Sequence, residues 1–150
     1  MLSLQNLGYA VVLKQQSATN GATLTSDNID AKGYREVHII IHGTTSDNAT
    51  NNPATLKLQQ SDTTDATNFG DVTGYVGDTG FTIPASPTTT TTAPFCVMNV
   101  PYGTFTKRYL RVLVSPVTTQ TFSAVALLAR PEEAPNSITE QNVAVAVNPP

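Results

Sequence analysis

The sequence predicts an all-β domain, folded as an antiparallel β-sandwich. Nearly every apolar run has the length of a strand, and the residues between the runs are mostly Thr, Ser, Asn, Asp, Gly and Pro. The pattern is clearest near the C-terminus, where Arg108–Val114 and Phe122–Ala129 are separated by a break at Ser115-Pro116. It indicates no helix longer than a turn or two, no internal repeat and no second domain.

The first two predicted strands lie before residue 45. Residues 9–13 form a short candidate strand, and the polar segment Gln15–Thr25 that follows is typical of a loop. Glu36–His42 alternates strictly, so it is predicted to be a central strand with one aliphatic face and a second face that is partly covered. The aliphatic face consists of Val37, Ile39 and Ile41.

The middle of the chain contributes three further predicted strands: Ala54–Gln60, Val72–Val76 and Pro94–Val100. The first of them is expected to have one solvent-exposed face, as antiparallel sheets allow. Its alternation predicts Leu56 and Leu58 pointing inward, and Thr55, Lys57 and Gln59 pointing outward.

The last two predicted strands are Lys107–Val114 and Thr121–Arg130, and the length of the linker Ser115–Gln120 suits a hairpin. The second strand is apolar on both faces. We therefore expect it to lie in the middle of the sandwich or under a subunit interface, with Val125 and Leu127 as candidate subunit contacts.

Composition limits the class of partner. The chain has 150 residues, which fits one domain, and only 13% of them are charged, about half the usual ~25%. The formal net charge of −3 argues against a nucleic-acid partner, because phosphate binding needs a basic surface. No apolar run approaches the ~20 residues that span a membrane, and Met1–Gly8 lacks the pattern of a signal peptide, so no membrane partner is expected.

The C-terminal segment carries the whole net charge. Residues 131–150 contain three glutamates and no Lys or Arg, which leaves 8 of the 11 acidic residues against 8 basic residues in 1–130. The segment is also too sparse in large apolar groups to fold alone. The sequence therefore predicts a β-sandwich domain over residues 1–130 and an acidic arm over residues 131–150.

The sequence offers no residues arranged for catalysis, metal binding or a cofactor. His38 and His42 share a strand face but lie ~13 Å apart along it, too far to hold one metal ion. The loop aspartates match no calcium-binding loop and are typical of turns; they are Asp62, Asp65, Asp71 and Asp78. Cys96 in an apolar strand is expected to be a buried structural thiol, and no Gly-x-Ser-x-Gly motif of hydrolases is present. We expect no enzymatic activity.

One basic cluster, Lys107, Arg108 and Arg111, lies in the predicted strand Lys107–Val114. On a strand, Lys107, Tyr109 and Arg111 share a face, which is either a solvated surface or a contact patch for an acidic partner. Such a partner can be the arm of a neighbouring subunit, through Glu132 or Glu133.

The arm also contains a short alternating stretch. Its valines are expected to form one face of an edge strand added to a neighbouring sheet, and Met1–Leu13 is the alternative segment for such a contact. The valines are Val143, Val145 and Val147.

Three segments together resemble a family: Ile29–Tyr34 leading into the strand at Glu36, then Ala54–Thr63, then Asn68–Val72. Their order is similar to that of small β-sandwich proteins encoded near the major capsid protein of tailed bacteriophages, the head decoration or cement proteins. The resemblance covers residues 20–75 well and residues 105–130 by strand pattern alone.

This resemblance implies a jelly-roll-like sandwich with extended termini, made in the bacterial cytoplasm and located on the outer capsid surface of the virion. Its implied partners are the major capsid protein and further copies of itself, as a homotrimer. Its implied role is to clamp neighbouring capsomers, with no catalytic residue. The alternative function is a carbohydrate- or receptor-binding module of a phage fibre or tail, against which the absence of Trp counts.

Overall fold

The computed structural model describes residues 7–19, 21–44, 53–86, 94–101 and 103–131, with side chains as far as residue 129. Within these ranges the chain forms two antiparallel sheets packed face to face, which confirms the predicted β-sandwich. The described part contains one short 3₁₀ turn, Ala66–Asn68. The strands are β1 (Gly8–Ala18), β2 (Leu24–Thr25), β3 (Ile29–Asp30), β4 (Tyr34–Gly43), β5 (Thr55–Ser61), β6 (Gly70–Val76), β7 (Cys96–Val100), β8 (Tyr109–Ser115) and β9 (Gln120–Pro131).

Sheet A has the strand order β1-β9-β4-β7, and sheet B has the order β2-β8-β5-β6. The short strands β2 and β3 both pair with β8 and behave as one interrupted strand. Ser26 lies at the interruption, where its backbone N–H donates to the Val112 carbonyl oxygen and its hydroxyl accepts from the Val112 N–H, both at 2.9 Å. Hydrogen bonding to β8 therefore continues across the interruption between β2 and β3.

The core lies between the two sheets and is built from alternate residues of each strand. The predicted inward residues of β4 and β5 are fully buried: Val37, Ile39, Ile41, Leu56 and Leu58. Phe122 of β9 is fully buried as well, and its ring meets that of Phe95 edge to face with centroids 5.8 Å apart. Period-2 alternation therefore identified the buried faces of these strands correctly.

The predicted hairpin between the last two long strands is wrong. β8 lies in sheet B beside β5, whereas β9 lies in sheet A between β1 and β4, so residues 116–119 cross from one sheet to the other. A short polar linker with a Pro can form a hairpin within one sheet or a crossing between the two sheets, because each connection needs only a reversal of the chain. The placement of β9 in the middle of a sheet agrees with the prediction from its two apolar faces.

The N-terminal strand is longer than predicted. β1 runs from Gly8 to Ala18, so the segment Gln15–Ala18 is strand and not loop. Its polar side chains are exposed at the edge of sheet A, where a strand needs no apolar outer face. Residues 8–13 pair with β9 of the same chain, so this part of the alternative N-terminal arm belongs to the domain itself.

Three side chains differ in burial from their predictions. Gln59 points away from the core as predicted but is buried, because neighbouring polar groups cover it. Cys96 lies at the end of an edge strand and is half-buried, although burial still raises the pKa of its thiol. His42, expected to be half-buried, is exposed.

Candidate contact surface

The outer face of sheet A carries an aliphatic row that crosses all four strands. Strand register places Val11 opposite Val125, Val125 opposite Ile40, and Ile40 opposite Val97. Each strand contributes one β-branched side chain, so neighbouring members lie directly across from one another, where cross-strand side chains touch. We call these four residues the valine row.

The residues at the two ends of the valine row are exposed to solvent. Val11 is 63% exposed and Val97 is 47% exposed, and these are the exposed large hydrophobic residues of the described part. Val125 and Ile40, between them, are half-buried. Contiguous exposed apolar surface is a candidate for contact with another protein.

A second row runs parallel to the first and is mixed in polarity. It consists of Tyr9, Leu127, His38 and Asn99, again one residue from each strand. The His38 Nδ1 and the Asn99 Oδ1 are hydrogen-bonded at 2.8 Å, and the His38 Nε2 lies 3.8 Å from the Glu36 carboxylate. The polar groups therefore collect toward β4 and β7, and Leu127 extends the apolar surface of the valine row.

The outer face of sheet B is built differently, around a polar network. Arg111 donates from Nε and Nη2 to the Gln59 Oε1 at 3.0 and 2.7 Å, and Gln59 donates to the Asp71 Oδ1 at 2.7 Å. Lys57 completes the network with an ion pair to Asp71 at 2.9 Å. The Gln59 amide, aided by Lys57, holds the pKa of the Asp71 carboxyl below its usual value. The Arg111 guanidinium also lies 4.0 Å above the Phe69 ring.

The remaining cations of the predicted basic patch have partners within the domain. Lys107 pairs with Asp62 at 2.6 Å, and Arg108 pairs with Asp30 at 2.6 Å. The hydrogen bonds from Arg108 hold the pKa of the Asp30 carboxyl below its usual value. The Arg108 guanidinium also lies 4.8 Å from the centre of the Tyr109 ring.

The two edges of sheet A are tied to sheet B. At β1, the carbonyl oxygen of Val12 accepts from the Asp27 N–H at 2.6 Å, and the strand has register shifts on both sides of Leu13. At β7, the carbonyl oxygen of Asn99 accepts from the Tyr75 hydroxyl. Irregular or occupied edges pair poorly with an added strand. The open surface of sheet A is therefore its outer face.

The structure separates the predicted contact residues into two groups. Val125 and Leu127 lie together on the outer face of sheet A, whereas Tyr109 and Arg111 belong to sheet B and Lys107 lies just before β8. The predicted arm residues Glu132, Glu133, Val143, Val145 and Val147 lie outside the described residues.

Sequence reasoning missed Val11 and Val97 as members of this surface. Val97 stands in an apolar segment and Val11 in a short apolar strand, so neither differs in sequence from a core residue. Only the register between strands shows that they extend the row of Val125. The signal that could have indicated the surface is the alternation of β9, whose outward residues include the aliphatic pair Val125 and Leu127.

Comparison with known proteins found no family model that matches the chain and no significant match among curated proteins. None of the described residues belongs to a helix with the length and apolarity that a membrane crossing requires. Within the same residues, no three His, Cys, Asp or Glu side chains are grouped so that they could hold a metal ion.

Proposed function

We propose that this chain is a structural virion protein that decorates a tailed-phage capsid and stabilises it by clamping neighbouring capsomers. The observation that carries the proposal is the valine row, an aliphatic surface four strands wide on the outer face of sheet A. Such a surface serves protein contact, since it offers neither charge for phosphate nor polar groups for sugar. The phage context rests on the family resemblance of residues 20–75.

The strand order supports a jelly-roll topology for this sandwich. When β2 and β3 count as one strand, eight strands form two four-stranded sheets, and most connections pass from one sheet to the other. Jelly rolls consist of eight strands in two such sheets and are common in viral capsid proteins.

We assign the valine row to contact between copies of this chain. The row carries no charge, and residues 1–130 are formally neutral, so the row of one copy can pack against a different surface of its neighbour without electrostatic repulsion. A contact that closes around a three-fold axis places the surface of each copy against its neighbour and produces the proposed homotrimer. Repetition on the capsid then adds avidity to individually weak contacts.

The assembly is tested with the full-length chain and two surface substitutions. Val11→Lys places a charge on the most exposed residue of the row, and Thr73→Lys places the same charge on an exposed position of β6 in sheet B. We expect light scattering to give the mass of three chains for wild type and Thr73→Lys, and of one chain for Val11→Lys. Equal masses for all three proteins would contradict the assigned surface, and a wild-type dimer would contradict the trimer.

Binding to the capsid is tested separately, with heads of the encoding phage that lack this protein. We expect wild type and Thr73→Lys to bind these heads and to raise the temperature at which they release DNA. Wild-type protein that does not bind the heads and does not change their DNA-release temperature would contradict decoration. Binding to a glycan array in the same preparation would favour the fibre or tail module instead.

A further inference from the structure

An open cleft of about 730 Å³ lies at one end of the sandwich, away from the valine row. Its walls come from the turn after β3, the loop after β5 and the segment that leads into β8. The Phe105 side chain is half-buried against the core and contributes an apolar part of the lining. The polar part of the lining consists mainly of charged side chains.

The charged side chains that line the described part of the cleft are mostly basic. Lys32, Lys107 and Arg108 line it together with one acidic residue, Asp62. The two ion pairs that involve these cations, Lys107 with Asp62 and Arg108 with Asp30, are both well exposed to solvent. Exposed pairs contribute little to stability, so the cations can change partners at small cost. The cleft therefore offers an exchangeable site for carboxylates.

The acidic C-terminal arm begins beside this cleft. Pro131, the last residue of β9, pairs with Tyr34, whose N–H donates to the Ala31 carbonyl oxygen at 3.1 Å. Ala31 lines the cleft, and its own N–H donates to the Arg108 carbonyl oxygen at 2.9 Å. One hydrogen-bonded turn thus links the end of β9 to the cleft wall.

Strand register fixes where the described part of β9 ends. Ala129 pairs with Glu36 and Pro131 with Tyr34, so each step forward in β9 is one step back in β4. Gly33 has a φ of 81° in the turn closed by the Tyr34–Ala31 hydrogen bond, so the pairing of β4 with β9 ends beside the turn that carries Lys32. Glutamates occupy positions 132 and 133, and the arm contains no Lys or Arg that would oppose their approach.

We propose that this cleft binds the acidic start of the arm of the same chain, with Glu132 and Glu133 as carboxylate partners of Lys32 and Lys107. The docked arm leaves the domain along the cleft, so residues beyond 135 start from a fixed point on the surface. Because the contact is electrostatic and exposed, it weakens as salt screens the charges. This inference stands independently of the phage function.

The test uses the full-length chain labelled with ¹⁵N and compares backbone amide signals. The variant Glu132→Gln/Glu133→Gln removes both charges, and Glu140→Gln is the matched control further along the arm. We expect the double variant to shift the amide signals of Lys32, Thr106 and Lys107, and 0.5 M NaCl to produce the same shifts in wild type. Glu140→Gln should leave them unchanged.

Three results would overturn the proposal. The first is a double variant with wild-type cleft signals, and the second is an equal effect of Glu140→Gln. The third is restoration of wild-type signals in the labelled double variant by unlabelled wild-type protein, because that would place the arm in the cleft of another copy. Charge exchange provides the positive control. Lys107→Glu alone should shift the amide signals of the cleft, and adding Glu133→Lys should return them toward their wild-type positions.

Discussion

Gly80 and Gly74 approach so closely that a side chain cannot fit between them. A Cβ atom on Gly80 would lie 2.5 Å from the Gly74 carbonyl carbon and carbonyl oxygen. The Gly80 N–H also donates to the Val76 carbonyl oxygen at 2.7 Å, within the tight turn that follows β6. The turn returns the chain to Phe81, whose carbonyl oxygen accepts from the Asp78 N–H at 2.8 Å.

Gly80→Ala is therefore expected to destabilise the domain. Backbone atoms at Gly74 must move, and overpacking of this kind costs roughly 1–3 kcal/mol. Gly70→Ala is the matched control, because a Cβ there meets no atom within 4 Å and the residue is not in a left-handed conformation. The free energy of unfolding in urea should fall for Gly80→Ala and stay equal or rise for Gly70→Ala. Equal losses in the two variants would contradict the close approach.

The bond between Tyr75 and Asn99 joins the edge strands of the two sheets. Tyr75 belongs to β6 and Asn99 to β7, and burial raises the pKa of the Tyr75 phenol. Tyr75→Phe removes the donor while keeping the ring, so we expect a loss of about 0.5–1.5 kcal/mol in unfolding free energy.

The control for this change is Tyr109→Phe, which keeps the ring under the Arg108 guanidinium. It should lose less unfolding free energy than Tyr75→Phe. Amide hydrogen exchange gives a second measurement, because the edge strand β7 should exchange faster in Tyr75→Phe. Unchanged exchange throughout β7 would argue against a connecting role for the bond.

Stability should decrease on acidification, in part through Asp30. The hydrogen bonds from Arg108 lower the pKa of its carboxyl in the folded state below the ordinary value of 3.8. A lowered folded pKa gives stability that is fully present above the unfolded pKa and is lost as the pH falls through the folded pKa. The contribution of Asp30 is therefore present at pH 6 and declines below about pH 4.

A double-mutant cycle of Asp30→Asn and Arg108→Gln isolates this contribution. We expect urea unfolding to give a favourable coupling energy at pH 6 that is smaller at pH 3. The cycle at high salt should also give a smaller coupling, since the pair is exposed. A coupling that is independent of pH would show that ionisation of Asp30 does not stabilise the fold.

The sequence was sufficient to predict the sandwich and its buried faces, because alternation alone decides which side chains of Glu36–His42 point inward. It could not predict the valine row, since this surface takes one residue from each of four strands and depends on their register. The hairpin error at Ser115–Gln120 has the same origin. Turn residues indicate that the chain reverses, whereas the partner of the next strand is set by contacts distant in sequence.

Two adjacent leucines of β9 allow the buried and exposed faces of sheet A to be compared directly. Leu128 points into the core and is 4% exposed, whereas Leu127 lies half-buried on the outer face between Tyr9 and His38. Leu128→Asp should cost several kcal/mol, because an unpaired carboxylate enters the core, and should leave little folded protein. Leu127→Asp keeps its charge at the surface of the isolated chain, so circular dichroism should show a folded β protein.

The proposed assembly predicts a further difference for Leu127→Asp. Contact between copies would bury the new carboxylate without a partner, so light scattering should give the mass of one chain where wild type gives three. The buried charge then destabilises the trimer and leaves the stability of the folded single chain nearly unchanged. Leu127→Asp that is both folded and trimeric would exclude this end of the outer face from the interface, and Leu127→Asp that fails to fold would show that the outer face is part of the core.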